Sequence, residues 1–269
     1  MKQGSFYRMR AVLFETIADC GQLKESLLKE GILVAKVFFG LAEKEALLEA
    51  VCSLEVCPEE CLFITNNSRH AEIAKHLSIV CIGCIEGQYE LPQVDTLLES
   101  PDEVSPVYLN MLYCHEKGYP AVILQTKRCF LKELTAADVP ALYAIRERLQ
   151  SLGCFDEPLA APEEEAEKLS SYAQTVYSFF GYGFYGVYEN ESGKLIGKAG
   201  FKEGSSPLEV GYLLDSDVWG RGIATEVISA LVHYAREELG VTELAARIHH
   251  DNIASRRVAE KCGIKIEEK

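Results

Sequence analysis

Short apolar runs alternate with amphipathic segments through the first third of the chain. The apolar runs are typical of buried strands, and they lie at residues 9–15, 32–39, 61–65 and 79–85. Between them, apolar residues recur at helical spacing, with helices predicted near residues 23–28, 43–54 and 68–77, the last with Ser68 near its N-cap. Strands that alternate with helices predict βαβ units. We therefore expect a small three-layer α/β domain with a parallel sheet.

The pattern changes between residues 86 and 120. Turn and breaker signals dominate this stretch, namely Glu90-Leu91-Pro92, Ser100-Pro101 and Ser105-Pro106. Residues 109–114 fit a short helix, and residues 121–124 fit either an edge strand or the end of a linker. We place a boundary near residue 125, which divides the chain into domains at residues 1–125 and 126–269.

Strands and helices follow a different order after the boundary. Strands are predicted at residues 128–134, 184–188, 194–201, 208–214, 243–248 and 264–268. Helices are predicted at residues 135–146, 162–180, 225–239 and 255–262, with Thr135 at an N-cap and Gly240 and Gly263 at C-caps. This order predicts a mixed α/β domain.

The strand at residues 208–214 leads into a glycine turn, residues 219–222, which opens a long helix. The first turn of a helix combines free N–H groups with the positive end of the macrodipole, and together these form an anion site. Gly220 and Gly222 allow a ligand to approach the backbone, Ala224 adds little bulk, and Arg221 brings a cation to the rim. We interpret the glycine turn as a site for a pyrophosphate.

Two common phosphate-binding patterns do not fit. Thr225 stands where a Rossmann G-x-G-x-x-G motif that begins at Gly220 needs its last glycine, and no Gly-Lys-Ser/Thr follows as in a Walker A loop. The turn resembles instead the acyl-CoA-binding motif of the GCN5-related N-acetyltransferases (GNAT), Gln/Arg-x-x-Gly-x-Gly/Ala, with Gly222 and Ala224 at the small positions. Trp219, which replaces the usual Gln or Arg, and the preceding Glu209-Val210-Gly211-Tyr212 are similar to the Rim-type branch, which acetylates ribosomal-protein N-termini.

This resemblance implies a GNAT mixed α/β domain at residues 126–269. It implies transfer of an acetyl group from acetyl-CoA, the co-substrate, to a primary amine by direct attack in a ternary complex, with no metal. The amine would belong to a protein N-terminus or a small molecule. The residues expected to bind the cofactor are Leu213, Leu214, Trp219, Gly220, Arg221, Gly222, Ile223, Ala224, Thr225, Asn252 and Ser255.

The resemblance also suggests roles for individual side chains, each with a structural alternative. Glu209 would bind or deprotonate the amine, directly or through water, or else face solvent at a strand edge. Tyr212 would contact the substrate or pack in the core. Asn252 and Ser255 match the family's Asn-x-x-Ser/Ala before the last helix, where they would contact the pantetheine and lie near the phosphates, and both could equally cap the helix.

Three features depart from the family pattern or stay unassigned. Ala259 stands where many relatives have a Tyr that protonates the CoA thiolate, so the proton must come from water or another hydroxyl. His249 and His250 are adjacent at a strand end, so only one of them is expected to face the cleft. Finally, Lys269 lies six residues past Gly263, which leaves no residues for the family's last strand. The preceding domain or the second subunit of a homodimer would cover that sheet edge, or else the acceptor side is incomplete.

The first domain is similar, more distantly, to the haloacid-dehalogenase-like (HAD) hydrolases. The segment around Glu15 resembles the family's first motif, in which a strand ends in Asp-x-Asp. The segment from Pro58 to Ser68 resembles the residues that lead to the family's acidic metal-binding motif. The family's catalytic aspartates are missing: the nucleophilic Asp aligns with Glu15, the acid/base Asp with Ile17, and the Gly-Asp of the acidic motif with Thr65-Asn66. Since phosphoryl transfer of this kind needs carboxylate-bound Mg²⁺, we expect a degenerate, catalytically silent domain.

Composition narrows the range of partners. A net charge of −14 argues against nucleic acid and anionic membranes and favours a cationic acceptor. The N-terminus, Met1-Lys2-Gln3-Gly4-Ser5, lacks an apolar signal core, and no membrane-length apolar run occurs, so a cytoplasmic protein is expected. Ten cysteines without zinc-site spacing are expected to be reduced thiols. The alternative to an acetyltransferase is a non-catalytic acyl-CoA-binding or regulatory protein.

Overall fold

The computed structural model describes residues 8–15, 20–85, 94–154 and 160–268, apart from the side chains at positions 173, 174 and 178. The chain divides into two compact units, Met1–Ala121 and Val122–Lys269. Residues 1–5 and 90–92, and Ile17 of the HAD-type comparison, lie outside the described residues. Among the described residues, no helix combines the length and apolar character needed to cross a bilayer.

The first unit contains a parallel sheet of five strands in the order β2-β1-β3-β4-β5. The strands are β1 (Ala11–Glu15), β2 (Leu33–Val37), β3 (Cys61–Thr65), β4 (Val80–Cys84) and β5 (Leu97–Leu98). The helices are α1 (Gly21–Lys29), α2 (Glu43–Ser53), α3 (Ser68–His76) and α4 (Pro106–Glu116). Strand β1 is buried along its whole length, as the unbroken apolar run predicted.

Helices cover this sheet in the way that the alternation of strands and helices predicted. Side chains of α2 and α3 share one core cluster with Leu13 of β1 and Phe63 of β3, while α1 and α4 contact each other. The N-cap of α3 is Asn67, directly before Ser68, because the Asn67 side chain accepts hydrogen bonds from the N–H groups of Arg69 and His70. Helix α4 is longer than the apolar residues alone indicated, since Ser105 caps it and Pro106 occupies its first turn.

The second unit contains a mixed sheet of seven strands in the order β12-β11-β10-β9-β8-β7-β6. The strands are β6 (Val122–Gln125), β7 (Cys129–Glu133), β8 (Phe184–Glu189), β9 (Leu195–Lys202), β10 (Leu208–Leu214), β11 (Leu244–Arg247) and β12 (Lys265–Glu267). The helices are α5 (Val139–Ser151), α6 (Pro162–Tyr172), α7 (Ser178–Phe180), α8 (Ile223–Glu237) and α9 (Ile253–Cys262). Strands β6 to β10 are antiparallel neighbours, and β10 to β12 run parallel.

The edges of this sheet are formed by β6 and β12. Strand β6 pairs with β7 as an edge strand, so the division between units lies at Ala121 and Val122 rather than near residue 125. With β6 the sheet has seven strands, six of them predicted outright and the seventh in a stretch that the sequence allowed as either an edge strand or the end of a linker. At the other edge, β12 pairs in parallel directly with β11.

Two predicted helices differ in detail. Residues 162–180 were expected to form one helix, but a π-helical turn at Ala173–Tyr177 separates α6 from α7. Helix α8 begins at Ile223, directly after the glycine turn, and its C-cap is Glu238 instead of Gly240. It buries an apolar stripe against the sheet, formed by Ile223, Val227, Ile228, Leu231, Val232, Tyr234 and Ala235.

Candidate functional site

Strands β10 and β11 separate close to the glycine turn. Strand β10 pairs with β9 from Glu209 to Leu214, but it pairs with β11 only at Leu208 and Glu209. Past the pair formed by Glu209 and Ala245, β11 pairs only with β12 among the described strands. The two strands therefore leave a cleft between them, and the C-terminal half of β10 forms one wall of it.

The hydrogen bonding of β10 decides which main-chain groups face this cleft. Asp215 donates its N–H to Ile196 of the β9 side at 2.8 Å, and the direction of main-chain groups alternates along an antiparallel strand. The groups of Leu213 therefore face β9, whereas those of Tyr212 and Leu214 face the cleft. Of the two residues named from the sequence on this strand, Leu214 presents its main chain to the cleft and Leu213 does not.

The glycine turn has a backbone that favours glycine. Gly220 and Gly222 have φ values of +72° and +76°, in the left-handed region. A Cβ at Gly220 would meet nothing within 4 Å, and one at Gly222 would meet only Arg128 at 3.8 Å. The space in front of the turn is thus open, and its backbone is exposed to it.

The first turn of α8 points its N–H groups toward the same space. Glu226 donates its N–H to Gly222 at 3.1 Å, so the N–H groups of Ile223, Ala224 and Thr225 precede the first intrahelical hydrogen bond. The side chain of Ile223 is buried, and only its main chain can serve an anion. The side chain of Ile223 therefore does not occupy the helix mouth.

Arg128 holds the glycine turn through its guanidinium group. Its Nη1 donates to the carbonyl oxygen of Arg221 at 2.7 Å, and its Nε donates to Glu226 Oε2 at 2.7 Å. The hydrogen bonds of Glu226 with Thr126 and Arg128 outweigh partial burial, which acts in the opposite direction, so the pKa of Glu226 is lowered. Arg128 thus fixes both the glycine turn and the first helical turn of α8.

A second arginine holds the segment between β10 and the turn. Arg148, on α5, donates through Nη1 to both carboxylate oxygens of the buried Asp215, at 2.8 and 3.0 Å, and to Asp217 Oδ2 at 2.7 Å. The two carboxylates raise the pKa of Arg148. Sequence reasoning missed Arg128, Arg148 and Asp215, since their partners are distant in the chain.

Trp219 and Arg221 have specific partners at the rim. The Trp219 indole Nε1 donates to the carbonyl oxygen of Leu214 at 2.9 Å, and 48% of the residue remains exposed. The indole thus spans from the turn to the cleft side of β10. Arg221 is exposed, and its Nη1 lies 3.6 Å from Glu189 Oε1, so part of its charge is already balanced.

Tyr212 links β10 to α9 across the cleft. Its hydroxyl donates to Ser255 Oγ at 3.0 Å. Partial burial raises the pKa of Tyr212, against the opposing effect of this hydrogen bond, so the phenol stays protonated at neutral pH. Asn252 is the N-cap of α9, where its Oδ1 accepts from the Ser255 N–H at 3.0 Å. The capping role that the sequence allowed for Asn252 is therefore observed. Ser255 contacts this cap through its main-chain N–H and contacts Tyr212 through its hydroxyl group.

Glu209 lies at the point where β10 and β11 begin to separate. Its Oε2 is 3.5 Å from Arg247 Nε and 3.8 Å from Lys202 Nζ, and its side chain is 21% exposed. Glu209 is therefore paired with cations and does not face solvent alone.

Gly211, two residues further along β10, leaves room for the Phe184 ring to pack over the strand. A Cβ at Gly211 would lie only 3.0 Å from Phe184 Cζ.

A separate polar cluster lies inside the first unit. Glu15, at the end of β1, is buried, accepts a hydrogen bond from Thr65 of neighbouring β3, and has Oε1 2.8 Å from His70 Nδ1. Phe39 stacks on the His70 imidazole, with ring centroids 3.5 Å apart. Glu15 and Thr65 thus meet at adjacent strand ends. Together with His70 they form a satisfied buried network.

Comparison with known proteins concerns the second half of the chain. The family model described as "Acetyltransferase (GNAT) domain" matches residues 128–265. An uncharacterized N-acetyltransferase of Bacillus subtilis, YoaA, is 28% identical over 149 residues, which cover 54% of this chain and 84% of that protein. Arg128, Glu209, the glycine turn and Asn252 all lie inside the matched region.

Two solved structures illustrate the structural likeness. An acetyltransferase from Agrobacterium tumefaciens is 29% identical, with a TM-score of 0.43, and the match covers 52% of this chain and 81% of that one. A ribosomal-protein-S5-alanine acetyltransferase from Vibrio fischeri is 17% identical, with a TM-score of 0.46, and the match covers 52% and 81%.

Proposed function

The chain belongs to the acetyltransferase (GNAT) family through residues 128–265, and from this premise we propose that it transfers an acetyl group from acetyl-CoA to a primary amine. The amine is that of a protein N-terminus or of a small molecule. Transfer occurs by direct attack of the amine on the thioester while both substrates are bound.

The separation of β10 from β11 beside the mouth of α8 is the observation that carries this proposal. The strands pair only at Leu208 and Glu209, so the main-chain groups of Tyr212 and the N–H of Leu214 are turned to the cleft, where they can serve an extended amide-containing ligand. The Leu214 carbonyl oxygen accepts from the Trp219 indole instead. The pantetheine arm of CoA is such a ligand. Its amides would continue the hydrogen bonding that β11 does not supply there.

The glycine turn fits the pyrophosphate of the same ligand. The N–H groups of Ile223, Ala224 and Thr225 precede the first intrahelical bond, and the positive end of the helix dipole adds to their attraction for an anion. The open space at Gly220 leaves room for a phosphate. Arg221 would exchange its pairing with Glu189 for one with the ligand.

The acceptor amine would enter near Glu209. An amine must lose its proton to attack, and Glu209 would bind the ammonium group and accept that proton, directly or through water. Arg247 and Lys202 hold Oε2 at 3.5 and 3.8 Å, so the amine would compete with these cations. The net charge of −14 favours approach of a cationic acceptor.

The departing thiolate needs a proton when its bond to the acetyl carbon breaks. The buried residue at the usual tyrosine position is Ala259, which cannot supply one. We assign this role to the pair formed by Tyr212 and Ser255, whose hydroxyl groups are 3.0 Å apart. The serine hydroxyl would donate to sulfur, and the protonated phenol would donate in turn to the serine oxygen.

A non-catalytic acyl-CoA-binding protein is the second candidate. The pairing of Glu209 with Arg247 and Lys202 favours this second candidate. A carboxylate that is already paired with two cations binds a third cation, the ammonium group of an acceptor, only weakly. The cleft and the glycine turn would then serve binding alone.

Calorimetric titration with acetyl-CoA and a turnover assay with a panel of amines test both candidates. The panel contains peptides with free N-termini, polyamines, aminoglycosides and amino acids, and released thiol is the readout. Binding together with turnover of one amine class supports the transferase. Binding without turnover of any amine supports the second candidate, and absence of acetyl-CoA binding contradicts both.

A further inference from the structure

His249, His250 and Asp251 follow β11 and precede α9. One ligand atom of each residue lies within 4.8 Å of those of the other two, and no other such group occurs in the part of the chain that the structure describes. We propose that these three residues form a binding site for Zn²⁺ or a dication with the same preference for nitrogen ligands. The proposal is independent of the acetyl-transfer site.

The turn that carries them is fixed by main-chain hydrogen bonds. Asn252 donates its N–H to His249 at 2.9 Å, and Ile253 donates to Asp251 at 2.9 Å. On the strand side, Ile248 donates to Glu267 at 3.0 Å. This tight turn brings consecutive side chains together, with the two imidazole centroids only 4.3 Å apart. An extended strand would have directed them to opposite faces, as the sequence suggested.

Each imidazole lies close to a different oxygen of the Asp251 carboxylate. His249 Nδ1 lies 3.6 Å from Asp251 Oδ2, and His250 Nε2 lies 3.2 Å from Asp251 Oδ1. Ligand atoms bound to tetrahedral Zn²⁺ at about 2.0–2.1 Å are about 3.3–3.4 Å apart. His249 Nδ1 accepts a hydrogen bond from the Asp251 N–H at 3.3 Å, and a metal at this nitrogen would replace that hydrogen bond.

The surroundings select the kind of metal. The N-terminus of α9 follows directly, and its positive end opposes any cation. Two imidazoles and one carboxylate overcome this opposition through coordination bonds, which suits zinc and its neighbours and not Mg²⁺ or Ca²⁺, which prefer oxygen ligands. All three residues are exposed, so solvent supplies the fourth position.

The test is a calorimetric titration of the reduced, tag-free protein with Zn²⁺. We compare the wild type with the His249→Ala/His250→Ala double variant and with Asp251→Asn. His233→Ala, an exposed histidine of α8, is the matched control. Because the cysteines could also bind zinc, Co²⁺ absorption serves as a second readout, since thiolate ligands add a near-ultraviolet charge-transfer band that nitrogen and oxygen ligands lack.

We expect one equivalent of Zn²⁺ to bind the wild type and the control. The affinity for Zn²⁺ should fall at least about tenfold in the double variant and in Asp251→Asn. The Co²⁺ complex of the wild type should lack the sulfur band. Unchanged affinity in the double variant, a sulfur band at the first equivalent, or no binding to the wild type would overturn the proposal. Since the side chains are exposed, the metal-free variants should melt as the wild type does, which checks that they fold.

Discussion

Arg128 binds Glu226 through two donors, its main-chain N–H to Oε1 at 2.8 Å and its Nε to Oε2 at 2.7 Å. The carboxylate in the first turn of α8 would by itself repel an anionic ligand, and the paired guanidinium neutralises it. The same guanidinium holds the carbonyl of Arg221. One side chain thus fixes the shape of the glycine turn and balances the charge behind it.

Replacing Arg128 by alanine should weaken acetyl-CoA binding about tenfold. The reason is that a hydrogen bond to a charged group contributes about 1.5–3 kcal/mol, and its loss lets the turn relax before the ligand binds. Calorimetry measures the effect. Lys127→Ala is the control, because it removes the same charge from an exposed neighbour. Equal losses in both variants would indicate that only net charge matters.

Gly222→Ala should reduce both stability and acetyl-CoA affinity. A left-handed backbone costs about 1–2 kcal/mol for a residue with a Cβ, and relief of this strain would turn the helical N–H groups away from the ligand. Gly240→Ala serves for comparison, because Gly240 has a φ of +65° and lies beyond the C-terminal end of α8. The Gly240→Ala variant should lose a similar amount of stability and keep its affinity for acetyl-CoA. An equal loss of acetyl-CoA affinity in this variant would contradict the role of Gly222.

Glu209→Gln should lower kcat by about 10²–10⁴, the usual contribution of a general base, and leave the affinity for acetyl-CoA unchanged. Steady-state kinetics with the preferred amine and calorimetry with acetyl-CoA give the two values. Glu267→Gln is a matched control, since Glu267 also lies near Arg247, at 3.9 Å. If both variants lose the same activity, Glu209 acts only through the arrangement of Arg247.

Tyr212→Phe and Ser255→Ala should each lower kcat by about 10²-fold if the pair delivers the proton to sulfur. The double variant should be no slower than the single ones, because residues that act as one unit are not additive. Full additivity in this double-mutant cycle would show that the two hydroxyl groups act separately.

The lowered pKa of Glu226 predicts an acid-sensitive second unit. Because its folded-state pKa lies below the ordinary value of 4.5, the stabilisation is fully present above about pH 5 and is lost as pH falls through the folded-state pKa. Urea unfolding at a series of pH values should give a wild-type advantage over Glu226→Gln in the free energy of unfolding, and this advantage should shrink as the pH falls through the lowered pKa. An advantage that does not change with pH would contradict the assignment.

The sequence predicted those parts of the fold that depend on local pattern. Strands β3 and β10 have the predicted bounds, and α8 begins at the glycine turn because apolar periodicity and the glycines are visible in the chain itself. The pairing partner of β6 was not visible, since a short edge strand has the same composition as a linker. The π-helical turn was missed for a similar reason, because it continues helical spacing.

The motif residues of the site were found from the sequence, but most of their supports were not. Arg128 lies 98 residues from Glu226 and Arg148 lies 67 residues from Asp215, and no periodicity links such pairs. The cations around Glu209 belong to β9 and β11 and meet it only when the sheet forms. Long-range side-chain contacts therefore limited the prediction of how the site is held.

The position of Trp219 has a practical consequence. It is the one tryptophan of the chain, it is half exposed, and its indole is hydrogen-bonded at the mouth of the proposed CoA site. Its fluorescence will therefore report on this corner of the molecule alone. Changes in emission and in quenching as a nucleotide enters would follow occupancy of the cleft in real time, without a label.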